Sequence, residues 1–233
     1  RTWERLLLQA RAGDTQLGFY GQAPAGWKAG DTIILPDTRQ VPSTLADDVI
    51  NGVPGVFEGQ WEEAVIQSIQ GDKVILTAPL QYDHLGAFNG DGIAEQKPHV
   101  AVLDRNIEVR SENAEGTRGH IMGLYRAEID VHYARFKDLG RTDAFAELDN
   151  TTFDEHGNVT HIGTNQIGRY AFHLHHLVGP EDGLPSGYQY RVVGNTIDGG
   201  RRWGFVCHNT HYGLVQDNVA YDIDGPAYVT QDG

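Results

Sequence analysis

Three segments in the final third of the chain share one register, and this constrains the fold more than any other feature. Tyr170-Ala171-Phe172-His173-Leu174-His175-His176, Trp203-Gly204-Phe205-Val206-Cys207-His208-Asn209 and Pro226-Ala227-Tyr228-Val229-Thr230-Gln231-Asp232 align at offsets of 33 and 23 residues. Small residues coincide at Ala171, Gly204 and Ala227, and aromatic residues at Phe172, Phe205 and Tyr228. The longer first interval is taken up by a Gly- and Pro-containing loop, Gly179 to Gly187. Repeats of roughly 20–25 residues without a helical period are the signature of a β-solenoid, in which each turn buries its inward residues against the next. Asn195 and Asn218 repeat the spacing, each just after a strand-like run (Val192-Val193, Leu214-Val215), and Ile107/Val109 with Ile129/Val131 read as an earlier pair of rungs. The leucine frame of a leucine-rich repeat is missing. A β-sandwich also uses short strands and frequent turns, but the shared register favours the solenoid.

Equivalent positions of a parallel stack lie about 4.8 Å apart. His175, His208 and Gln231 then form one column, and His176, Asn209 and Asp232 the next. Strand alternation puts His173 and His175 on one face and His176 on the other. Cys207 falls between Leu174 and Thr230, turned away from His208, and reads as packing rather than as a nucleophile.

Composition agrees. The chain holds 29 Gly among 233 residues, and Gly, Asn and Asp adopt left-handed turn conformations at low cost. Its single cysteine excludes an intrachain disulfide. A formal charge of −14, from 18 Lys+Arg against 32 Asp+Glu, argues against a nucleic-acid partner, which needs a basic surface. No apolar run approaches the ~20 residues that span a bilayer. The chain opens on Arg1 and stops within a repeat, so it is taken as a piece of a longer protein.

Residues 1–100 read as irregular β structure. Thr32-Ile33-Ile34-Leu35 is a short buried strand stopped by Pro36, and Trp61 to Ile69 with Lys73 to Leu76 flank a hairpin turn at Gly71-Asp72. Residues 81–99 read as a loop-like connection, and the repeats begin near Val100.

The run Gly168-Arg169-Tyr170-Ala171-Phe172-His173-Leu174-His175, the segment Asn218-Val219-Ala220-Tyr221-Asp222 and the terminal Gln231-Asp232-Gly233 resemble the β-helix region of the cell migration-inducing and transmembrane hyaluronidase family, shared by fibrocystin-like surface proteins. Gly26-Trp27, Gly30-Asp31 and Leu35-Pro36, with Ala78-Pro79-Leu80 and His84, are similar to the glycine-rich "G-eight" β domain that precedes the helix in that family. The family motif commonly has Pro where Ala171 stands and an acidic residue where Gln231 stands. The resemblance implies an all-β chain with a glycine-rich β domain over 1–100 and a right-handed parallel β-helix over 101–233. It also implies a secreted or cell-surface setting, membership of a larger surface protein or assembly, and a polysaccharide partner such as hyaluronan.

His175 and His208 are the leading acid/base or substrate-orienting candidates, because imidazole exchanges protons near neutral pH. Arg169 suits a bidentate contact to a uronate carboxylate, or a structural bridge to an Asp of the adjacent turn. Asp232 is positioned to orient a histidine or bind a cation. His173, Asn209, Arg202 and Trp203 complete the candidate substrate-binding set, the last two as a basic and aromatic pair at a rim. Zinc needs three or four ligands, and the columns supply two histidines plus Asp232, so no metal is assigned. Asp198, Asp217, Asp222 and Asp224 sit near turns whose oxygens suit calcium but are equally turn-formers. Asn150-Thr151-Thr152 and Asn158-Val159-Thr160 fit the glycosylation pattern, and the polar 141–166 segment is expected to wall a groove beside the histidine strand. Hydrolysis and β-elimination both remain open, as does a non-catalytic adhesive or structural module.

Overall fold

A computed structural model of the chain describes residues 1–39, 58–88, 94–179 and 187–231, and the regular structure among them is entirely β. No helix among them is long and apolar enough to cross a membrane. The chain divides into two compact units, Arg1–Asp104 and Arg105–Gly233.

The first unit contains β1 (Trp3–Arg5), β2 (Gln16–Gly18), β3 (Thr32–Leu35), β4 (Glu62–Gln70), β5 (Lys73–Leu76), β6 (Ala87–Phe88), β7 (Ala94–Gln96) and β8 (His99–Val102). Six of them form an antiparallel sheet in the order β1-β8-β3-β4-β5-β2, and β6 pairs with β7. Strand β3 alternates as its sequence requires, burying Ile33 and Leu35. The β4–β5 hairpin turns at Gly71, where φ is +63°. Two expectations need correcting here. The 81–99 stretch is more than a connection, since it carries β6, β7 and the start of β8, and buries His84 against Glu62 at 2.8 Å. Val100 does not open the repeats, because β8 hydrogen-bonds antiparallel to β1 and β3.

The second unit contains β9 (Ile107–Arg110), β10 (Ile121–Tyr125), β11 (Ile129–His132), β12 (Ala134–Lys137), β13 (Thr152–Phe153), β14 (Val159–His161), β15 (Phe172–Leu177), β16 (Tyr190–Val193), β17 (Thr196–Gly200), β18 (Phe205–His208), β19 (Gly213–Gln216), β20 (Val219–Ile223) and β21 (Tyr228–Gln231). Three of its sheets are parallel, ordered β10-β15-β18-β21, β11-β16-β19 and β20-β17-β12-β9. The chain visits them in rotation, so each turn adds one strand to each sheet. Phe172, Phe205 and Tyr228 pair in one column and His175, His208 and Gln231 in another, the register read from the sequence. Asp232 lies outside the described residues.

The Ile107/Val109 register was misread. These residues pair with Ala134 and Phe136, while Ile129 and Val131 stack on Tyr190 and Val192 in a different sheet. An Ile-x-Val pattern marks a strand but not the face to which it belongs.

Corners between sheets repeat as backbone columns. Tyr133, Gly194 and Asp217 have φ of +55°, +70° and +54°, and Asp138, Gly199 and Asp222 have φ of +53°, +79° and +54°. These left-handed residues turn the chain from one sheet to the next. Just after the first column, Asn195 forms a buried ladder. Its Oδ1 accepts from Ala134 N at 2.9 Å, and its Nδ2 donates to Val131 O at 2.9 Å and to Asn218 Oδ1 at 3.1 Å. Asn195 and Asn218 are thus ladder residues that cap main-chain groups of the preceding turn. The core runs through Phe136, Phe172, Leu174, Val192, Ile197, Phe205 and Cys207.

Candidate functional site

Strand β15 alternates between core and outward face. Phe172 and Leu174 point into the core, while His173 and His175 point outward. An outward side chain on a solenoid is normally exposed, yet His173 is only 3% exposed. The cover comes from the chain between β12 and β15, which leaves the parallel sheets and returns over this face. The β13–β14 hairpin stands in it, and Asn165 stitches it together by donating through Nδ2 to Asp143 O, Ala146 O and Glu147 O at 3.0–3.2 Å. Asp149 accepts from Thr164 N and Thr164 Oγ1 and contacts His161 Nε2. The polar 141–166 segment therefore does wall a groove.

The result is a cavity of about 590 Å³, within the range of small-ligand sites. His173, His175, His208 and Gln231 line it from the sheet, with Met122 of β10. Asn150, Thr151, Phe153 and Gln166 line it from the covering segment, and Ile167, Gly168, Arg169 and Tyr170 from the return into β15. Among these lining residues none is a carboxylate.

The imidazoles are in contact. Nδ1 of His208 and Nδ1 of His175 face one another at 2.8 Å, so one carries the proton and donates to the other. His173 donates from Nδ1 to Gly168 O at 2.8 Å, which leaves Nε2 with a lone pair. That Nε2 is buried without a partner. Burial is the main cause that pushes His175 down to about 4, reinforced by His173, His176, His208 and Arg169. Burial likewise lowers His173, with His208, Arg169 and His120 adding to it. Both rings are neutral at physiological pH.

His176 departs from the expected alternation. It has φ +53°, and pairing slips there, so that Leu124 opposes His175 and Tyr125 opposes Leu177. The left-handed residue breaks the period of two and returns the His176 ring to the same side, 4.1 Å from the His175 ring and 5.0 Å from that of His208. Asn209, left-handed at φ +44°, stacks beside it with Nδ2 3.3 Å from His176 Nε2.

The other candidates are placed as follows. Arg169 lines the cavity and donates to Gln166 Oε1 at 3.2 Å; among the described residues it bridges to no carboxylate. Arg202 and Trp203 are not among the lining residues. Trp203 packs on Tyr170 at a ring separation of 4.6 Å and Arg202 sits 5.9 Å over Trp203, so they buttress a lining residue. Asp198 binds Arg135, tying adjacent rungs. His120, Met122, Tyr170 and Phe153 were not singled out from sequence. Only Tyr170 had a local signal, its place beside Arg169 ahead of the histidine strand.

The family model described as CEMIP β-helix matches residues 149–233, the stretch that supplies most of this cavity. Over 256 aligned residues, mouse (Mus musculus) fibrocystin-L is 30% identical, an alignment that takes in 99% of this chain and 6% of that protein. A G8 domain-containing protein of Dictyostelium discoideum is 24% identical over 233 residues, covering 100% of this chain and 13% of its own length. The human (Homo sapiens) cell surface hyaluronidase CEMIP2 is 24% identical over 155 residues, 66% of this chain and 10% of that protein. The chain thus spans a small part of each relative's length. These similarities are consistent with the G8/CEMIP family, whose β-helix model matches residues 149–233 of this chain.

Proposed function

We propose that the second unit is a right-handed parallel β-helix of a secreted or cell-surface protein, whose cavity binds and processes an acidic polysaccharide such as hyaluronan. The observation that carries this reading is the convergence of Arg169 with His173, His175 and His208 on one cavity of about 590 Å³. A guanidinium pairs with a uronate carboxylate through two parallel N–H donors. Tyr170, Phe153 and Ile167 offer apolar surface for sugar C–H faces. The relationship to a cell surface hyaluronidase supports the choice of polymer.

The lining favours imidazole over carboxylate chemistry. Glycoside hydrolysis by paired acids uses two carboxyl groups flanking the bond, ~5–10 Å apart, and the described lining supplies none. His175 and His208 are already paired through Nδ1 atoms and can pass a proton between them. In this reading Arg169 holds the anionic group and the two histidines act as acid and base, or orient the substrate. A neutral His175 ring suits acceptance of a proton.

The test is direct. The protein is incubated with hyaluronan and with a neutral glycan of matched size, and chain length is followed by gel filtration. Loss of length on hyaluronan alone is expected, reduced at least ~100-fold by His175→Gln or His208→Gln. New reducing ends mark hydrolysis, and the ultraviolet absorbance of an unsaturated uronate marks elimination. Arg169→Ala is expected to weaken hyaluronan binding. Absence of both cleavage and binding across a panel of acidic glycans would overturn the proposal.

A further inference from the structure

The orphaned nitrogen of His173 is the least explained group in the cavity. A buried polar atom without a partner costs about 1–3 kcal/mol, and native structures retain few of them. This atom lies in a ring that is 3% exposed, on a residue lining the cavity. One nitrogen from each of His173, His175 and His208 lies within 4.8 Å of the other two.

We propose that His173, His175 and His208 form a three-imidazole site for a divalent transition metal of the zinc class, at the floor of the cavity. The site stands on the geometry of the rings and does not depend on the cavity taking a glycan.

Several features fit. A metal-binding histidine characteristically donates its other ring N–H to a carbonyl or carboxylate, which fixes the tautomer and aims the lone pair. His173 does this, with Nδ1 donating to Gly168 O at 2.8 Å and Nε2 left open. His175 and His208 bring their Nδ1 atoms to 2.8 Å, slightly closer than two ligands on one ion. A tetrahedral centre with bonds of about 2.0–2.1 Å would hold them a few tenths of an ångström further apart, reached by small ring rotations. Three imidazoles with one open position make a catalytic rather than a structural zinc arrangement. The donor set also chooses the ion class. Calcium and magnesium take oxygen ligands, whereas an all-nitrogen set favours zinc and its neighbours.

The proposed site takes a third histidine where the rung columns offered two histidines plus Asp232. His173 joins because it stands two residues before His175 on the same strand face, diagonal to His208 on the next rung. A metal here also gives Arg169 a role within the site. Two adjacent positive centres would draw an anionic group into the cavity, the ion binding one oxygen and the guanidinium another.

The experiment uses the intact chain, stripped with chelator, dialysed, and titrated with Zn(II) by calorimetry and with Co(II) by visible absorption. The expected result is one ion per chain and a cobalt spectrum of low-symmetry four- or five-coordinate nitrogen ligation. His175→Gln and His208→Gln, both at partly exposed positions, are expected to weaken binding by more than ~100-fold, beyond what loss of an outer-sphere partner costs. His156→Gln, on the exposed β13–β14 turn, is expected to bind like the parent, which separates the site from adventitious surface histidines. Absence of stoichiometric binding by the intact chain overturns the proposal, as does binding retained in the His175→Gln/His208→Gln double variant. Hyaluronan binding measured on the stripped and zinc-loaded protein reports on the glycan reading separately, since either result leaves the metal titration unchanged.

Discussion

Replacing Asn195 by Ala tests whether the asparagine ladder holds the turns of the second unit in register. The side chain is completely buried. Its loss strips the partner from Ala134 N–H, from which it accepts at 2.9 Å, and one donor from Val131 C=O, to which it donates at 2.9 Å. It also removes the donation to Asn218 Oδ1 at 3.1 Å, although that oxygen keeps the Asn195 main-chain N–H at 2.8 Å. The Ala134 N–H is thus left buried without a partner, at about 1–3 kcal/mol, while the Val131 C=O, which also lies in the β11–β16 ladder, loses one bond. Removing the buried amide returns part of this, and the void adds a smaller cost. The expected destabilisation is about 3 kcal/mol, equivalent to a fall in melting temperature of roughly 6–12 °C for a chain of this size. Urea unfolding gives the free energy, and amide hydrogen exchange gives the location. The Ala134 amide should lose protection while the Ile33 amide in the first unit keeps it. A loss under ~1 kcal/mol, or an Ala134 amide as protected as before, would show that the ladder does not carry the register.

Two further perturbations probe packing and pH. A Cβ on Gly213 would stand 1.8 Å from Cζ of the buried Tyr190, whose hydroxyl lies 3.4 Å from Cys207 Sγ. Gly213→Ala should therefore cost about 1–3 kcal/mol by overpacking in urea melts, and the double variant with Tyr190→Ala should lose less than the sum of the singles; strict additivity refutes the clash. Asp37 is held near 2, below its usual 3.8, chiefly by the Arg39 guanidinium and also by the Gln60 and Arg39 amides. The folded state keeps this carboxylate ionised more readily than the unfolded chain, so its stabilisation is complete above 3.8 and is lost as pH falls toward 2. Relative to the parent, Asp37→Asn should lose most stability at neutral pH and converge with it by pH ~2; a difference that does not change with pH contradicts this.

The parallel stack was legible because a solenoid turns long-range contact into sequence repetition. Phe172, Phe205 and Tyr228 recur at similar offsets for the same reason that they touch, since each rung copies the one before. Legibility ended where the copying did. Ile107 and Val109 belong to a turn whose neighbour carries Ala134 and Phe136, and a two-residue apolar motif cannot report which of three faces it lies on. In the first unit each strand pairs antiparallel with a different partner. There only local signals such as Pro36 and Gly71-Asp72 could be read, and the buried His84–Glu62 contact, 22 residues apart, left no pattern.

The site divides along the same line. The stacking of His175 on His208 is a rung contact and followed from register alone. What turns the pair into a cluster is not periodic. His176 rejoins His175 only because a residue at φ +53° interrupts the alternation, and non-glycine residues are seldom assigned that conformation from sequence. His173 is buried only because the segment between β12 and β15, held closed by Asn165, returns over the sheet. Its environment was therefore set by residues outside the repeat. The solenoid supplies spacing, bringing imidazoles close at no cost to its core, since Phe172 and Leu174 fill the inward positions of the same strand. The excursion supplies burial, which keeps His173 and His175 neutral and encloses His173 Nε2. Spacing without burial would leave a row of solvated surface histidines. Burial without spacing would leave a single costly orphan. Their coincidence over one strand sets this cavity apart from the acidic turns elsewhere on the solenoid, and it is on this that the proposed chemistry rests.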